Sequence, residues 1–208
     1  MDCLLCNHKA NLFYSEKGKT YFKCANCNLI FINPANLPTP LEEENRYLEH
    51  NNDVEDIRYQ NFVKPIVNEV LTYFSKNHVG LDYGSGTAPV ITSMLRKLNY
   101  NIQTFDPFFD NNPEVLKTTY NYIACCEVAE HFHQPYTEFK KLFNLLKPNG
   151  KLILKTQLFN ANLEFKNWWY KNDQTHVVFY QIETFKWIKN HFNFKHLVIK
   201  DSLILLSK

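Results

Sequence analysis

The chain has 208 residues, 45% of them apolar, and a formal net charge of +2. That length allows one main domain with a small appendage and a proper core, and the near-balanced charge neither requires nor excludes a nucleic-acid partner. No apolar run of eighteen or more residues occurs, and Met1-Asp2-Cys3 does not open a signal peptide, so a cytoplasmic protein without a membrane span is expected.

Residues 1–33 read as a separate unit. Cys3-x-x-Cys6 is followed, after seventeen residues, by Cys24-x-x-Cys27. Each pair forms a tight knuckle that turns two thiolates toward one point, and four thiolates at about 2.3 Å close a tetrahedral zinc site. The spacing is that of a zinc ribbon, and a redox role for the thiols is the alternative. His8 follows a filled set of ligands and is expected at the surface. Thr20-Tyr21-Phe22 and Leu29-Ile30-Phe31-Ile32 read as short strands beside the knuckles. A unit this small has too little core to fold alone, so the metal would supply its stability.

Pro34, Pro38 and Pro40 with Glu42-Glu43-Glu44 mark residues 34–53 as linker and lid. Tyr47, His50 and Asn52 are either site residues or parts of a polar loop. Asp53 is a candidate cap for a helix over 54–76, with Ile57, Phe62, Ile66, Val70, Leu71 and Phe74 recurring at helical spacing.

Val79-Gly80-Leu81-Asp82-Tyr83 is an apolar strand that runs into Gly84-Ser85-Gly86-Thr87-Ala88, and a helix over 89–98 follows, with Pro89 in its first turn. Glycines let the backbone bend and let a ligand approach, and the helix start supplies free N–H groups. Asn101 to Phe105 is the second strand, ending in Asp106. Tyr120 to Cys126 is a buried strand that delivers Glu127-Val128-Ala129-Glu130-His131 to its end. On a helical turn, positions 127, 130 and 131 share a face. Two carboxylates and an imidazole there suit a divalent cation. The residues alone also allow an acid and a histidine that bond each other or cap a helix.

The register D-x-G-x-G-x-A from Asp82 to Ala88 resembles motif I of class I S-adenosylmethionine (SAM)-dependent methyltransferases of type 11/23, with Ala88 in place of the third glycine. "LLKPNGKLIL" at 145–154 is similar to a segment common in that superfamily. The resemblance covers residues 54–208. It implies an α/β, Rossmann-like sheet of seven strands with an antiparallel last strand, here a hairpin of 194–200 and 202–207 around Asp201. A third strand would lie within 107–119. The implied cofactor residues are Asp82, Gly84, Ser85, Gly86, Asp106 on the ribose, Pro107, Phe108 on the adenine, Cys126 and Glu127.

The E-x-x-E-H run, with the later Asp173-x-x-His176 before an aromatic-led helix, resembles ubiquinone-pathway O-methyltransferases and small-RNA 3′-terminal 2′-O-methyltransferases. By that resemblance Glu127, Glu130, His131 and His176 hold Mg²⁺ or Mn²⁺. Without an ion, Glu130, His131 or His176 is the catalytic base. Trp168-Trp169-Tyr170 is either core or a wall that stacks an acceptor. The expected activity is O-methylation of a small-molecule or sugar hydroxyl. The alternatives are a ribose methyltransferase acting on RNA or nucleotides, and an inactive zinc-ribbon binding module.

Overall fold

The computed structural model describes residues 1–49, 53–160 and 162–208. His50 and Asn52, named above as candidate site residues, lie outside the described residues. Strands β1 (Ala10–Glu16) and β2 (Lys19–Cys24) form an antiparallel hairpin. Its turn is Lys17-Gly18, both with positive φ (51° and 79°), which matches the right-handed twist of the flanking strands. Strand β3 (Ile30–Ile32) pairs with β2.

Residues 40–48, expected within a linker, are helical: α1 (Pro40–Leu48). The reason is local. Thr39 Oγ1 accepts from the Glu42 N–H at 3.3 Å, and the Glu42 carboxylate accepts from the Thr39 N–H at 2.7 Å. This reciprocal cap, with Pro40 at the first helical position, turns a proline-acid run into a helix start. Helix α2 (Ile57–Tyr73) is shorter than the expected 54–76. Asp56 caps it, accepting from the Arg58 N–H at 2.8 Å, whereas the Asp53 side chain accepts from the Glu55 N–H, ahead of the helix. Its buried stripe is Val63, Ile66, Val67 and Val70; Ile57, expected on that stripe, is exposed.

The main sheet follows. Strand β4 (Val79–Tyr83) leads through the glycine turn to α3 (Val90–Lys97), then β5 (Asn101–Phe105). Next come β6 (Tyr120–Cys126), α4 (Pro135–Leu145) and β7 (Leu146–Lys155). Strand β8 (Val178–Phe179), α5 (Ile182–His191), β9 (His196–Lys200) and β10 (Leu203–Ser207) complete the chain. The order is β5-β4-β6-β7-β10-β9, with β10 antiparallel to both neighbours. The sheet therefore has six described strands, not the expected seven. The stretch 107–119 holds a 3-10 turn, Pro113–Lys117, instead of a strand. It carries two prolines, which cannot donate to a ladder, and no alternating apolar run. The Tyr120 hydroxyl ties this turn down by donating to the Val115 carbonyl at 2.6 Å.

Helices α2 and α3 cover one face of the sheet through Val63, Ile66, Leu95, Ile102 and Tyr122. On the other face Phe139, Leu142, Phe185, Ile188 and Leu206 form a core that runs unbroken into Cys27, Phe31 and Phe179. Strand β8 pairs with β3, so the small sheet reads β1-β2-β3-β8 and is completed by a strand from the far part of the chain. Among the described residues no helix is long and apolar enough to cross a membrane.

Candidate functional site

A cavity of about 1200 Å³ opens at the carboxyl ends of β4, β5 and β6, with α1 along one side. This is where parallel α/β sheets place ligands. Gly84 and Gly86 have φ of 78° and 64°, and the Gly84 N–H donates to the Phe105 carbonyl at 2.8 Å. The two glycines serve different ends. A Cβ on Gly84 would lie 2.4 Å from Val128 Cγ2, whereas one on Gly86 would meet nothing within 4 Å and would enter open space. Asp106 clamps the turn: its Oδ2 accepts from the Gly86 N–H at 2.9 Å, and its Oδ1 accepts from the N–H groups of Phe108 and Phe109 at 2.9 and 3.1 Å. Two oxygens offer about four acceptor positions, so Asp106 keeps one for a ligand hydroxyl.

Gly84, Ser85, Gly86, Asp106, Pro107, Phe108, Cys126 and Glu127 all line this cavity. Asp82 does not, contrary to expectation. It is buried on the α3 side of the strand, where its Oδ2 accepts from the Thr92 hydroxyl at 2.8 Å. Burial pushes its carboxyl up to about 6. The wall also includes a pair that the sequence did not announce. The Tyr83 hydroxyl donates to Glu138 at 2.5 Å, and Lys141 donates to the same carboxylate at 2.8 Å.

A second cluster sits beside the glycine turn. Glu127 has a φ of 51°, a left-handed conformation that is uncommon outside glycine and asparagine. The helical turn that follows is short, Ala129–His131, so Glu127 stands outside it rather than on its face. Glu130, His131 and His176 bring one ligand atom each within 4.8 Å of the others; Glu127 is not in that set. Glu130 has no exposed surface, so it does not itself meet an acceptor. Among the described residues, Glu127 Oε1 and Glu130 Oε2 are buried side-chain oxygens with no hydrogen-bond partner. Burial and the neighbouring Glu130 raise the Glu127 carboxyl, and burial raises that of Glu130, so the pair holds protons above the usual carboxylate range.

Both histidines are held in one tautomer. His131 Nδ1 donates to the Thr175 carbonyl at 2.8 Å, and His176 Nδ1 donates to the Tyr170 carbonyl at 2.7 Å. Burial lowers both rings from their usual value, His176 to about 3 with His131 adding to the effect. Neutral rings with Nδ1 protonated leave both Nε2 lone pairs free, the arrangement of metal-ligating histidines. With an unpartnered carboxylate oxygen beside them, this donor set fits a divalent cation.

Helix α1 lies over this ground. Arg46 Nε and Nη2 donate to Asp173 Oδ2 at 3.1 and 2.8 Å. Burial alone would raise the Asp173 carboxyl, but the Arg46 and Thr175 hydrogen bonds hold it well below the usual range. Tyr47 packs edge-on against Phe108 at 5.4 Å and His131 at 5.2 Å, joining the two halves of the site. The aromatic triplet splits three ways. Trp168 is core beside Phe159 and Phe179, Trp169 is exposed on the cavity wall, and Tyr170 is buried among the acids.

At the other end, Cys3, Cys6, Cys24 and Cys27 bring four sulfurs within 4.8 Å of one another. Contacts of 3.5 Å (Cys3–Cys27) and 3.3 Å (Cys6–Cys24) approach the roughly 3.8 Å edge of a tetrahedron with 2.3 Å metal–sulfur bonds. The two knuckles are near copies. Asn7 and Asn28 follow the second cysteine of each with φ of 59° and 58°, and each donates its N–H to the first cysteine's carbonyl at 3.0 Å. Asparagine tolerates that conformation, so Cys-x-x-Cys-Asn was a readable signal. His8 is exposed and bonds the Cys6 carbonyl.

Residues 55–198 match the family described as a methyltransferase domain. A curated relative, the mitochondrial ubiquinone biosynthesis O-methyltransferase of Schizosaccharomyces pombe (strain 972 / ATCC 24843), is 30% identical over 82 residues. That match covers 39% of this chain and 24% of the relative, so the chain spans about a quarter of that relative's length. Among solved structures, the 1,6-didemethyltoxoflavin-N1-methyltransferase of Burkholderia thailandensis superposes with a TM-score of 0.57 at 11% identity, covering 96% of this chain and 99% of that one. A SAM-dependent methyltransferase from Archaeoglobus fulgidus gives 0.55 at 14% identity, over 72% and 94%. Likenesses at such identities establish the fold.

Proposed function

This chain belongs to the methyltransferase-domain family, and from that premise we propose that it transfers a methyl group from SAM to a hydroxyl of a small-molecule or sugar acceptor. In the reaction the sulfonium C–S bond breaks as a C–O bond forms, and S-adenosylhomocysteine leaves. The glycine turn and Asp106 would hold the donor, with Phe108 beside its adenine. Alignment of the hydroxyl with the methyl carbon is the enzyme's main task, because the sulfonium already makes that carbon electrophilic. An oxygen acceptor is supported by the 82-residue likeness to an O-methyltransferase and by the chemistry of the second cluster.

We further propose that Glu130, His131 and His176, with Glu127 adjacent, hold a divalent cation such as Mg²⁺ or Mn²⁺. A cation held there would lower the pKa of a ligated hydroxyl and fix its direction. The observation that carries this reading is a buried Glu130 carboxylate with an unpartnered oxygen, grouped with two histidines that present Nε2. Where those nitrogens stay free, His131 or His176 takes the acceptor's proton. The four cysteines would hold a structural zinc ion. The open cavity supports an enzyme over an inactive docking platform.

Two titrations test the reading. SAM should bind the purified protein, and Asp106→Ala should weaken it at least about tenfold, or 1.4 kcal/mol; unchanged affinity removes the ribose assignment. Mn²⁺ should bind in addition to the tightly held zinc, and full turnover in chelator would defeat the cation mechanism.

A further inference from the structure

We propose that Tyr170 is the positioning residue of the candidate cation site, setting its Glu130 carboxylate, the adjacent Glu127 carboxylate and one of its histidines from a single side chain and its own backbone. The inference rests on the cation reading above. The Tyr170 hydroxyl bonds Glu130 Oε1, lies 3.1 Å from Glu127 Oε2 and 3.2 Å from Thr156 Oγ1. Its backbone carbonyl accepts from His176 Nδ1 at 2.7 Å, and the two ring centroids are 4.2 Å apart. The ring is buried and braced by Trp168 and Trp169, each 5.3 Å away.

The geometry divides the glutamate oxygens. Glu130 Oε1 and Glu127 Oε2 face the phenol, and Glu130 Oε2 and Glu127 Oε1 are the two left without partners. The phenol's single proton, given to Glu130 Oε1, fixes that carboxylate's rotation and so fixes where its Oε2 points, while Glu127 Oε2 packs against the same hydroxyl oxygen. The carbonyl does the same for His176 by choosing its tautomer. Outer partners of this kind orient metal ligands, and their loss costs about 10- to 100-fold in metal affinity. Tyr170 makes no proton transfer in this scheme; it acts through the groups it holds.

Tyr170→Phe separates the hydroxyl from everything else. It keeps the ring packing and the carbonyl bond to His176 and deletes only the donor to the acids. Mn²⁺ titrated into the SAM-bound protein, read by calorimetry and by the free-ion electron paramagnetic resonance signal, should show about 10- to 100-fold weaker binding in Tyr170→Phe. Zinc content and SAM affinity should not change. Mn²⁺ affinity within twofold of wild type in a folded Tyr170→Phe overturns the proposal and leaves the cation reading standing. No Mn²⁺ binding by the wild type removes the cation reading itself, and this proposal with it. Should Tyr170→Phe fail to fold, 4-fluorophenylalanine incorporated at position 170, which fills the hydroxyl's place without a proton to donate, should lower Mn²⁺ affinity to the same extent; an unchanged affinity there refutes the proposal equally.

Discussion

Two glycines two positions apart are expected to fail in different ways when given a methyl group. Both have positive φ, so alanine at either costs about 1–2 kcal/mol of backbone strain. At Gly84 the new Cβ would also lie 2.4 and 2.7 Å from the two methyls of Val128, which is packed on the strand end. Overpacking of that kind adds about 1–3 kcal/mol. Gly84→Ala should therefore lose about 2–5 kcal/mol, or roughly 10 °C in Tm at 2–4 °C per kcal/mol for a chain of this size. Gly86→Ala meets no atom, so its loss should stop at roughly 8 °C. Its methyl stands in the cavity instead, and SAM should bind at least about tenfold more weakly. Urea unfolding of the free proteins and calorimetric SAM titration measure the two effects separately. A Gly84→Ala protein as stable as wild type would show that Val128 does not back the turn. A Gly86→Ala protein with wild-type SAM affinity would show that the donor lies elsewhere.

Cys24→Ser should release the zinc and raise amide exchange at Val177–Tyr180, because β3 and the Ile32 N–H hold that segment; unchanged exchange there would contradict the shared sheet. Asp82 gives a pH prediction. Its folded carboxyl titrates near 6 against 3.8 unfolded, so the native chain keeps a proton that the unfolded chain has lost. Stability from this group is full at low pH and falls as pH rises through 6, by about 1.4 kcal/mol between pH 5 and 7.5. Asp82→Asn should lack that slope relative to wild type in urea unfolding at the two pH values, and equal slopes would refute the burial argument.

The elements that frame the donor site were legible because their signals are local. Strands β4, β5 and β6 begin and end where apolar runs meet a turn or a cluster of acids. Asp82 was misplaced by trusting the motif over the pleat: Leu81 and Tyr83 face the α4 side, so the residue between them must face α3. Helix α1 was announced by Thr39-Pro40-Leu41-Glu42, a capping pattern hidden under three prolines and an acidic run. The helical face assumed for Glu127, Glu130 and His131 failed because Glu127 turns left-handed first. The contacts of Tyr170 and Arg46 lie beyond sequence patterning, although Tyr170 stood out within an aromatic triplet. Their partners Glu130 and Asp173 are far away in the chain, and only the tertiary fold brings them into reach.

The pairing of Phe31 with Val178 sets an order on biosynthesis. During translation at about 5–20 residues per second, β3 would wait roughly ten to thirty seconds for the strand that covers its edge. Until then a three-residue strand of Ile, Phe and Ile stands uncovered beside the cysteine knuckles, the kind of edge that recruits the wrong neighbour. A nascent chain whose cysteine knuckles lack the proposed zinc would carry that hazard longest, so more insoluble protein is expected from metal-poor cultures than from zinc-supplemented ones.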